Sequence, residues 1–597
     1  MQGPRPAGWR ARFGRFFTIV GVATTILVTL VVIALLVRCA TERRIEPHTV
    51  LELDLERPLA EHAADDPLTR AFVGGDHGLD ELVAALERAA ADDRVDGLVA
   101  RIGGVDHGMA TTQEIRDAVL EFRKSGKFAI AFAETFGEVG PGNQGYYLAT
   151  AFDAIWLQPS GDVGLTGLAT EPLFLRGVLD NLGLDARMDH RHEYKNAKNT
   201  FTERGFTPAH REASEAIVVA MHRQMVAAIA ETRQKDPKAA AAAIDAGPYL
   251  GQEAVDAGLV DRLGYRDEVM ADVRARAGAA PHLLFWDKYL ERAGHPHSDG
   301  PRIALIFGHG SVTRGASSVD PIFGGPTMGS DTVAGAFRAA IDDPKVKAIV
   351  FRVNSPGGSY VASDAIWRET VRAREAGKPV IVTMGDVAGS GGYFVAMHAD
   401  KIVAQPGTIT GSIGVLGGKV LTRPLWERIG VTFDEVHRGH NALMWSNLHD
   451  YSSQGWERFQ AWLDRVYADF TQKVADGRRL PLAEVQKIAR GRIWAGEDAR
   501  GIGLVDELGG YSVAFRLARE AAGLAADAPF ELKVYPPKKG LLGLLGDDRE
   551  SSESPAQVDA TLALIRDLQP VAAELRALGL GPGAHGVLAT PPIDLGP

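Results

Sequence analysis

The chain has 597 residues, 45% of them hydrophobic and 24% charged, which is ordinary globular material and long enough for two or more domains. A formal net charge of -11 argues against a nucleic-acid partner. The single cysteine, Cys39, excludes an internal disulfide and any cysteine-based zinc cluster, and no metal, cofactor or phosphate motif appears elsewhere.

Residues 1–15 read as a short basic tail, and Phe16 to Val37 as an uncharged run of 22 residues long enough to cross a bilayer. Arg5, Arg10, Arg12 and Arg15 precede the run, so the positive-inside rule puts the N-terminus in the cytoplasm and the body of the chain outside it. Arg38, Arg43 and Arg44 on the far side act against that orientation. Cys39 follows an arginine and not the small residue of a lipoprotein cleavage site, so the segment reads as an uncleaved anchor.

Beyond the anchor the chain repeats itself at an offset of about 250 residues, the scale of a domain duplication. GQEAVDAGLVDRLG (Gly251 to Gly264) matches GEDARGIGLVDELG (Gly496 to Gly509), and DDRVDGLVARI (Asp92 to Ile102) matches DDPKVKAIVFRV (Asp342 to Val353). Two α/β repeats are expected, 48–300 and 301–535, each carrying a long amphipathic helix, near Ala209 to Arg233 and Ser453 to Asp476. The extension 536–597 is irregular, apart from helical apolar spacing over Gln557 to Leu578 that fits either a peripheral packing helix or a membrane-surface helix.

The stretch that carries chemistry is VIVTMGDVAGSGGYFVAMHADKIVAQPGTITGSIGVL, Val380 to Leu416. Val380 to Val382 read as a buried strand ending at Gly385, and a helical pattern begins at Tyr393. Ser390, between Gly389, Gly391 and Gly392, therefore sits on a strand-to-helix turn. Such a turn suits a nucleophile, because glycines admit a substrate backbone and free N–H groups at the helix start can hold an oxyanion. The same residues also suit a plain N-cap. Gly357 and Gly358, in a loop after a strand, can offer further N–H groups with Gly391, or simply make a tight turn. The first repeat keeps the turn, since Gly142 to Gly167 follows Gly389 to Gly414 at equal spacing, but Asn143 falls opposite Ser390.

A serine needs a base. His398 lies eight residues along the same helix, roughly 12 Å away at about 1.5 Å per residue, and Asp386 has no histidine beside it to orient. His437 and His440, with His190 and His192 as first-repeat counterparts, form no Ser-His-Asp pattern. Lysine is the remaining type. Lys195 stands where the second repeat has Ala442 or its neighbour, within a basic run with Arg187, Arg191 and Lys198 that also reads as a solvated face.

With these residues in view, the chain resembles the bacterial signal peptide peptidases of the long, tandem-repeat type, most specifically in RVNSPGGSYVASD (Arg352 to Asp364), GSGGYF and TGSIGV (Thr410 to Val415). The resemblance implies two crotonase-like, Clp-protease-like repeats after an N-terminal transmembrane helix, a homotetramer, and a catalytic body on the periplasmic side of the cytoplasmic membrane. It implies a serine endopeptidase acting on hydrophobic peptides such as cleaved signal peptides. In that family the serine of the Ser-Gly-Gly-Tyr segment is the nucleophile, which carries onto Ser390. The lysine of a Tyr-Lys-x-Ala segment is the base, which carries onto Lys195 in YKNA, with Lys198 as the other candidate because the segment departs from the family pattern after the alanine. A base acting near pH 7 must lose roughly 3 units of pKa from about 10.4, which burial supplies. The first repeat reads RIGGVDHG (Arg101 to Gly108) where the second has RVNSPGGS, so one active site per pair of repeats is expected, and 301–535 alone should fold yet be inert. A crotonase-type acyl-thioester enzyme and a catalytically silent scaffold are the alternatives.

Overall fold

A computed structural model describes residues 44–62, 77–104, 107–278, 280–318, 325–536 and 588–589. The expected anchor at 16–37 and the helical spacing at 557–578 lie outside these residues; among the described residues no helix is long and apolar enough to cross a membrane.

Apolar runs form strands where glycine and aspartate turns bound them, and the intervening amphipathic segments form helices that cover both faces. In the first repeat the strands lie in the order Arg262–Leu263, Ala154–Leu157, Phe128–Ala133, Val95–Arg101, Thr49–Asp54 and His282–Phe285, all parallel. The second repeat uses the same order: Glu507–Leu508, Lys401–Ala404, Val380–Gly389, Val346–Ser355, Arg302–His309 and Glu531–Tyr535, again parallel. The long helices are Pro208–Thr232, capped by Thr207, and Ser453–Arg478, capped by Ser452.

One boundary differs from the sequence reading. The strand expected to stop at Gly385 runs on to Gly389, because its second half finds a new partner: Val387, Ala388 and Gly389 register with Ile409, Thr410 and Gly411. The extra length carries the chain to the serine turn inside the sheet.

The two repeats share a core. One apolar cluster joins Leu51, Leu98 and Ala131 of the first to Ile303, Val350 and Ile381 of the second. At its polar centre Arg352, which has 1% of its surface exposed, lies 2.8 Å from Glu61 Oε2 and 2.9 Å from Glu114 Oε2, with the Tyr511 ring 4.6 Å from the guanidinium carbon. Burial alone would raise the Glu61 carboxyl, but the guanidinium outweighs it and holds Glu61 below the usual carboxylate range. Asp386 accepts from the Thr111 N–H (2.9 Å) and hydroxyl (2.6 Å), so a second-repeat carboxylate caps the first-repeat helix Met109–Arg123, whose own N-cap residue, Gly108, has no side chain to do so.

This sharing bears on the half-chain expectation. Cutting at residue 300 would strip Arg352 of both carboxylates and open the common core, which works against the expectation that residues 301–535 fold alone. Arg352→Met should lower stability by about 3–5 kcal/mol, because it strands two buried carboxylates. Lys124→Met, which removes an exposed pair with Glu121, should cost less than about 1 kcal/mol. Urea unfolding of the two variants checks the contrast, and equal shifts would contradict it.

Candidate active site

Ser390 occupies the residue before the helix Gly391–Ala396, the position of an N-cap, yet its side chain makes no cap bond. Its backbone is held at φ 54, ψ -112, a region that side-chain-bearing residues rarely adopt. The Ser390 N–H donates to the Gly411 carbonyl (2.8 Å) and its carbonyl accepts from Phe394 (2.8 Å), which fixes the turn from both sides. The hydroxyl is left to point elsewhere.

It points at Lys195. The Lys195 Nζ lies 2.7 Å from Ser390 Oγ and donates to the Ser412 carbonyl and Oγ, both at 3.0 Å. Both side chains are fully buried, 0% exposed. Burial is the cause that pushes the Lys195 pKa well below the ordinary lysine value. Lys198 is only half-buried, and its charge falls on His190, whose pKa is lowered by burial first and by Lys198 second.

Lys195 reaches the second repeat on an arm. Strand Asp185–His190 of the first repeat pairs antiparallel with Leu416–Leu421 of the second, Leu416 opposite His190 and Leu421 opposite Asp185. The arm is then pinned by Arg191 N–H to the Val415 carbonyl (2.8 Å) and Tyr194 N–H to the Arg490 carbonyl (3.2 Å). His192 packs against Tyr467 with ring centroids 4.6 Å apart. Gly491, at φ +81, passes so close beneath the arm that a methyl on it would sit 2.5 Å from the Lys195 backbone nitrogen.

The remaining candidates divide. Gly391 and Gly358 come together: a methyl on Gly391 would lie 3.0 Å from the Gly358 nitrogen and 2.7 Å from Ser363 Oγ, so only glycine lets loop and helix start close up. Gly357 departs from the expected role of donor, because its N–H is given to Ser355 Oγ at 3.2 Å. On its outer side the Gly357–Gly358 segment pairs antiparallel with Leu588–Ala589, so this edge accepts an extended strand. Among the described residues no hydrogen bond joins His190, His192, His398, His437 or His440 to Ser390. Asn143, opposite Ser390 in the first repeat, staples its own turn: its Oδ1 accepts from the Thr166 and Gly167 N–H groups (3.0 Å each) and its Nδ2 donates to the Gly167 carbonyl (2.9 Å).

Sequence reasoning missed Ser412, although it lies inside the TGSIGV segment and its first-repeat counterpart at equal spacing is Leu165, a difference of the same kind as Ser390 against Asn143. It missed Gly491 altogether, since nothing near ARGRI singles out a residue whose role is to leave room.

A hydroxyl held in a strained turn against a buried amine, beside a glycine pair that can present N–H groups, is the equipment of a serine hydrolase. The profile of peptidase family S49 matches residues 121–280 and 372–525, one region in each repeat. "Protease 4" of Salmonella typhi is 33% identical over 508 residues, 82% of this chain and 79% of its own. "Serine protease SPPA, chloroplastic" of Arabidopsis thaliana is 28% identical over 571 residues, covering 93% and 81%. "Protease 4" of Haemophilus influenzae is 31% identical over 466 residues, covering 75% and 73%. The chain belongs to peptidase family S49, and it is a serine endopeptidase.

The close approach of Gly491 generates a test. Gly491→Ala should move the arm and lower peptide hydrolysis by about 10²-fold, the cost of misplacing a reacting group by roughly 1 Å, while circular dichroism stays unchanged. Activity within twofold of the unmutated protein would show that the arm tolerates the displacement.

Proposed function

We propose that the chain is a membrane-anchored endopeptidase in which Ser390 is the nucleophile and Lys195 the general base, and that it degrades hydrophobic peptides, including signal-peptide remnants left in the membrane after secretion. The observation that carries the reading is the 2.7 Å contact between Lys195 Nζ and Ser390 Oγ, with both groups sealed from solvent. A silent scaffold needed the two groups apart, and an acyl-thioester enzyme has no use for this pairing.

The chemistry follows from the bonds. A neutral Lys195 that gives its two N–H groups to Ser412 keeps a lone pair for the Ser390 proton. Ser390 Oγ then attacks the scissile carbonyl, the proton moves to Nζ, and the developing oxyanion is met by the Gly358 and Gly391 N–H groups. Lys195 returns the proton to the leaving amine, and the acyl-enzyme is hydrolysed by water with Lys195 again as base. An extended peptide lying along Gly357–Gly358, as Leu588–Ala589 does, brings its backbone to the serine without reading its side chains closely, in keeping with a degradative role.

The anchor at 16–37 and its preceding arginines support a body outside the cytoplasmic membrane, on the periplasmic side, and the family resemblance supports a homotetramer. Protease added to spheroplasts should then degrade the body, and full protection beyond Val37 would refute this orientation.

The dyad is tested by kinetics on a hydrophobic peptide ester. Ser390→Ala and Lys195→Ala should each lower kcat by at least about 10³-fold, and the double variant should be no worse than either, because members of a dyad act as a unit. Lys198→Ala should cost at most a modest factor. Below the depressed Lys195 pKa the amine is an ammonium and cannot take the proton, so the rate should rise with pH through that pKa and level off above it. A Lys195→Ala variant that kept its activity while Lys198→Ala lost it would move the base one helical turn along.

A further inference from the structure

Ser390 is delivered by a strand that does not run straight. Val346–Ser355 pairs with Val380–Gly389 in step from Ile349 opposite Val380 to Val353 opposite Met384, and the next match is Ser355 opposite Ala388. Three residues, Gly385, Asp386 and Val387, therefore face Asn354 alone. At this bulge the strand leaves its neighbour Lys401–Ala404 and takes up Ile409–Gly411, the partner whose Gly411 carbonyl holds the Ser390 N–H.

A bulge leaves backbone groups without ladder partners, and here side chains take their place. The Gly385 carbonyl accepts from the Thr408 hydroxyl (2.9 Å), and the Val387 N–H donates to Asn354 Oδ1 (3.1 Å). The direction of the Asn354 amide is fixed from the first repeat. Its Nδ2 donates to Glu61 Oε1 (2.6 Å), and because that carboxyl is held below the usual carboxylate range it only accepts, so the amide oxygen is left facing Val387. Arg352 Nε holds the other Glu61 oxygen at 2.8 Å. Gly385 makes the room, since a methyl there would sit 2.5 Å from Glu61 Oε1 and 2.8 Å from Asn354 Cγ. The Asn354 backbone is used as well: its carbonyl accepts from the Gly310 N–H (2.9 Å), next to the segment Ser311–Thr313 whose Val312 registers with Gly358. In the first repeat Asn143 stands at the place of Ser390 and Gly103 at that of Asn354, and Val95–Arg101 pairs with Phe128–Ala133 without a register shift. The amide and the bulge go with the serine.

We propose that Asn354 is a positioning residue for the nucleophile. Its carboxamide, directed by Glu61 of the first repeat, stands in for the missing strand partner of Val387 and sets the line along which Ala388 and Gly389 carry Ser390 to Lys195. The role rests on the reading of Ser390 as the nucleophile, and it adds that the first repeat directs the serine as well as supplying the base. Asn354 acts three residues from a turn held at φ 54 whose serine makes no side-chain cap bond, so the incoming strand is what aims the hydroxyl.

The test is kinetic, on the full chain in detergent with the hydrophobic peptide ester. Asn354→Ala should lower kcat by about 10²-fold, the cost of misplacing a reacting group by roughly 1 Å, and leave KM within about threefold. Asn354→Asp, which sets two carboxylates face to face, should lower kcat at least as far. Adding Glu61→Gln to Asn354→Asp exchanges donor and acceptor and keeps the number of charges, so this near-isosteric pair should return kcat to within about tenfold of the unmutated protein. The swap is read by itself if Asn354→Ala fails to fold. An Asn354→Ala protein with kcat within about threefold of the unmutated one, beside an inert Ser390→Ala, would overturn the positioning role alone. A swap that recovers the melting temperature of Asn354→Asp without recovering kcat would assign the pair to stability only and overturn it too. Activity retained by Ser390→Ala would instead remove the nucleophile, and this role with it.

Discussion

A lysine side chain with no exposed surface is the constraint on which the rest depends. An ammonium is stable in water and costly inside a protein, so placing Lys195 at the centre of the molecule requires a fold that supplies partners for the amine and keeps solvent out. The Ser412 carbonyl and hydroxyl are those partners, and the antiparallel ladder between Asp185–His190 and Leu416–Leu421 is the seal. The same ladder fixes where the arm crosses, and hence the 2.7 Å approach to Ser390.

That arrangement goes with an asymmetry between the two repeats. Each repeat could in principle hold a serine turn and a lysine arm, but within one chain only the first repeat's arm meets the second repeat's turn. The first-repeat turn carries Asn143 at the position of Ser390, and the Asn143 amide ties down its own backbone. The second-repeat segment carries Ala442 at the position of Lys195. Arg352, on the strand that leads to the Gly357–Gly358 loop, is locked by carboxylates of the first repeat, so the placing of that loop also depends on both halves.

Much of this was legible from the sequence because duplication and turn chemistry leave marks at fixed spacing. The paired Gly-Leu-Val-Asp blocks announced two like sheets, and Gly-Ser-Gly-Gly followed by an aromatic pattern announced the turn at Ser390. Lys195 was within reach only through its family likeness, since by composition YKNAKN is a basic surface run. What buries it is the pairing of segments 226 or more residues apart, which no local pattern encodes. Ser412 and Gly491 escaped for related reasons: the first acts through a carbonyl and a positive φ as much as through its hydroxyl, and the second acts by lacking a side chain. Gly357 reads as a donor in the sequence because nothing there shows that Ser355 Oγ takes its N–H.

Desolvation by the fold holds the Lys195 amine well below the ordinary lysine range. The most direct measurement is an NMR titration of the protein labelled with [ε-¹³C]lysine, with the Lys195 resonance assigned by its loss in Lys195→Met. The Lys195 resonance should titrate well below the ordinary lysine range. A Lys195 resonance that titrated together with the surface lysines, near about 10.4, would contradict it.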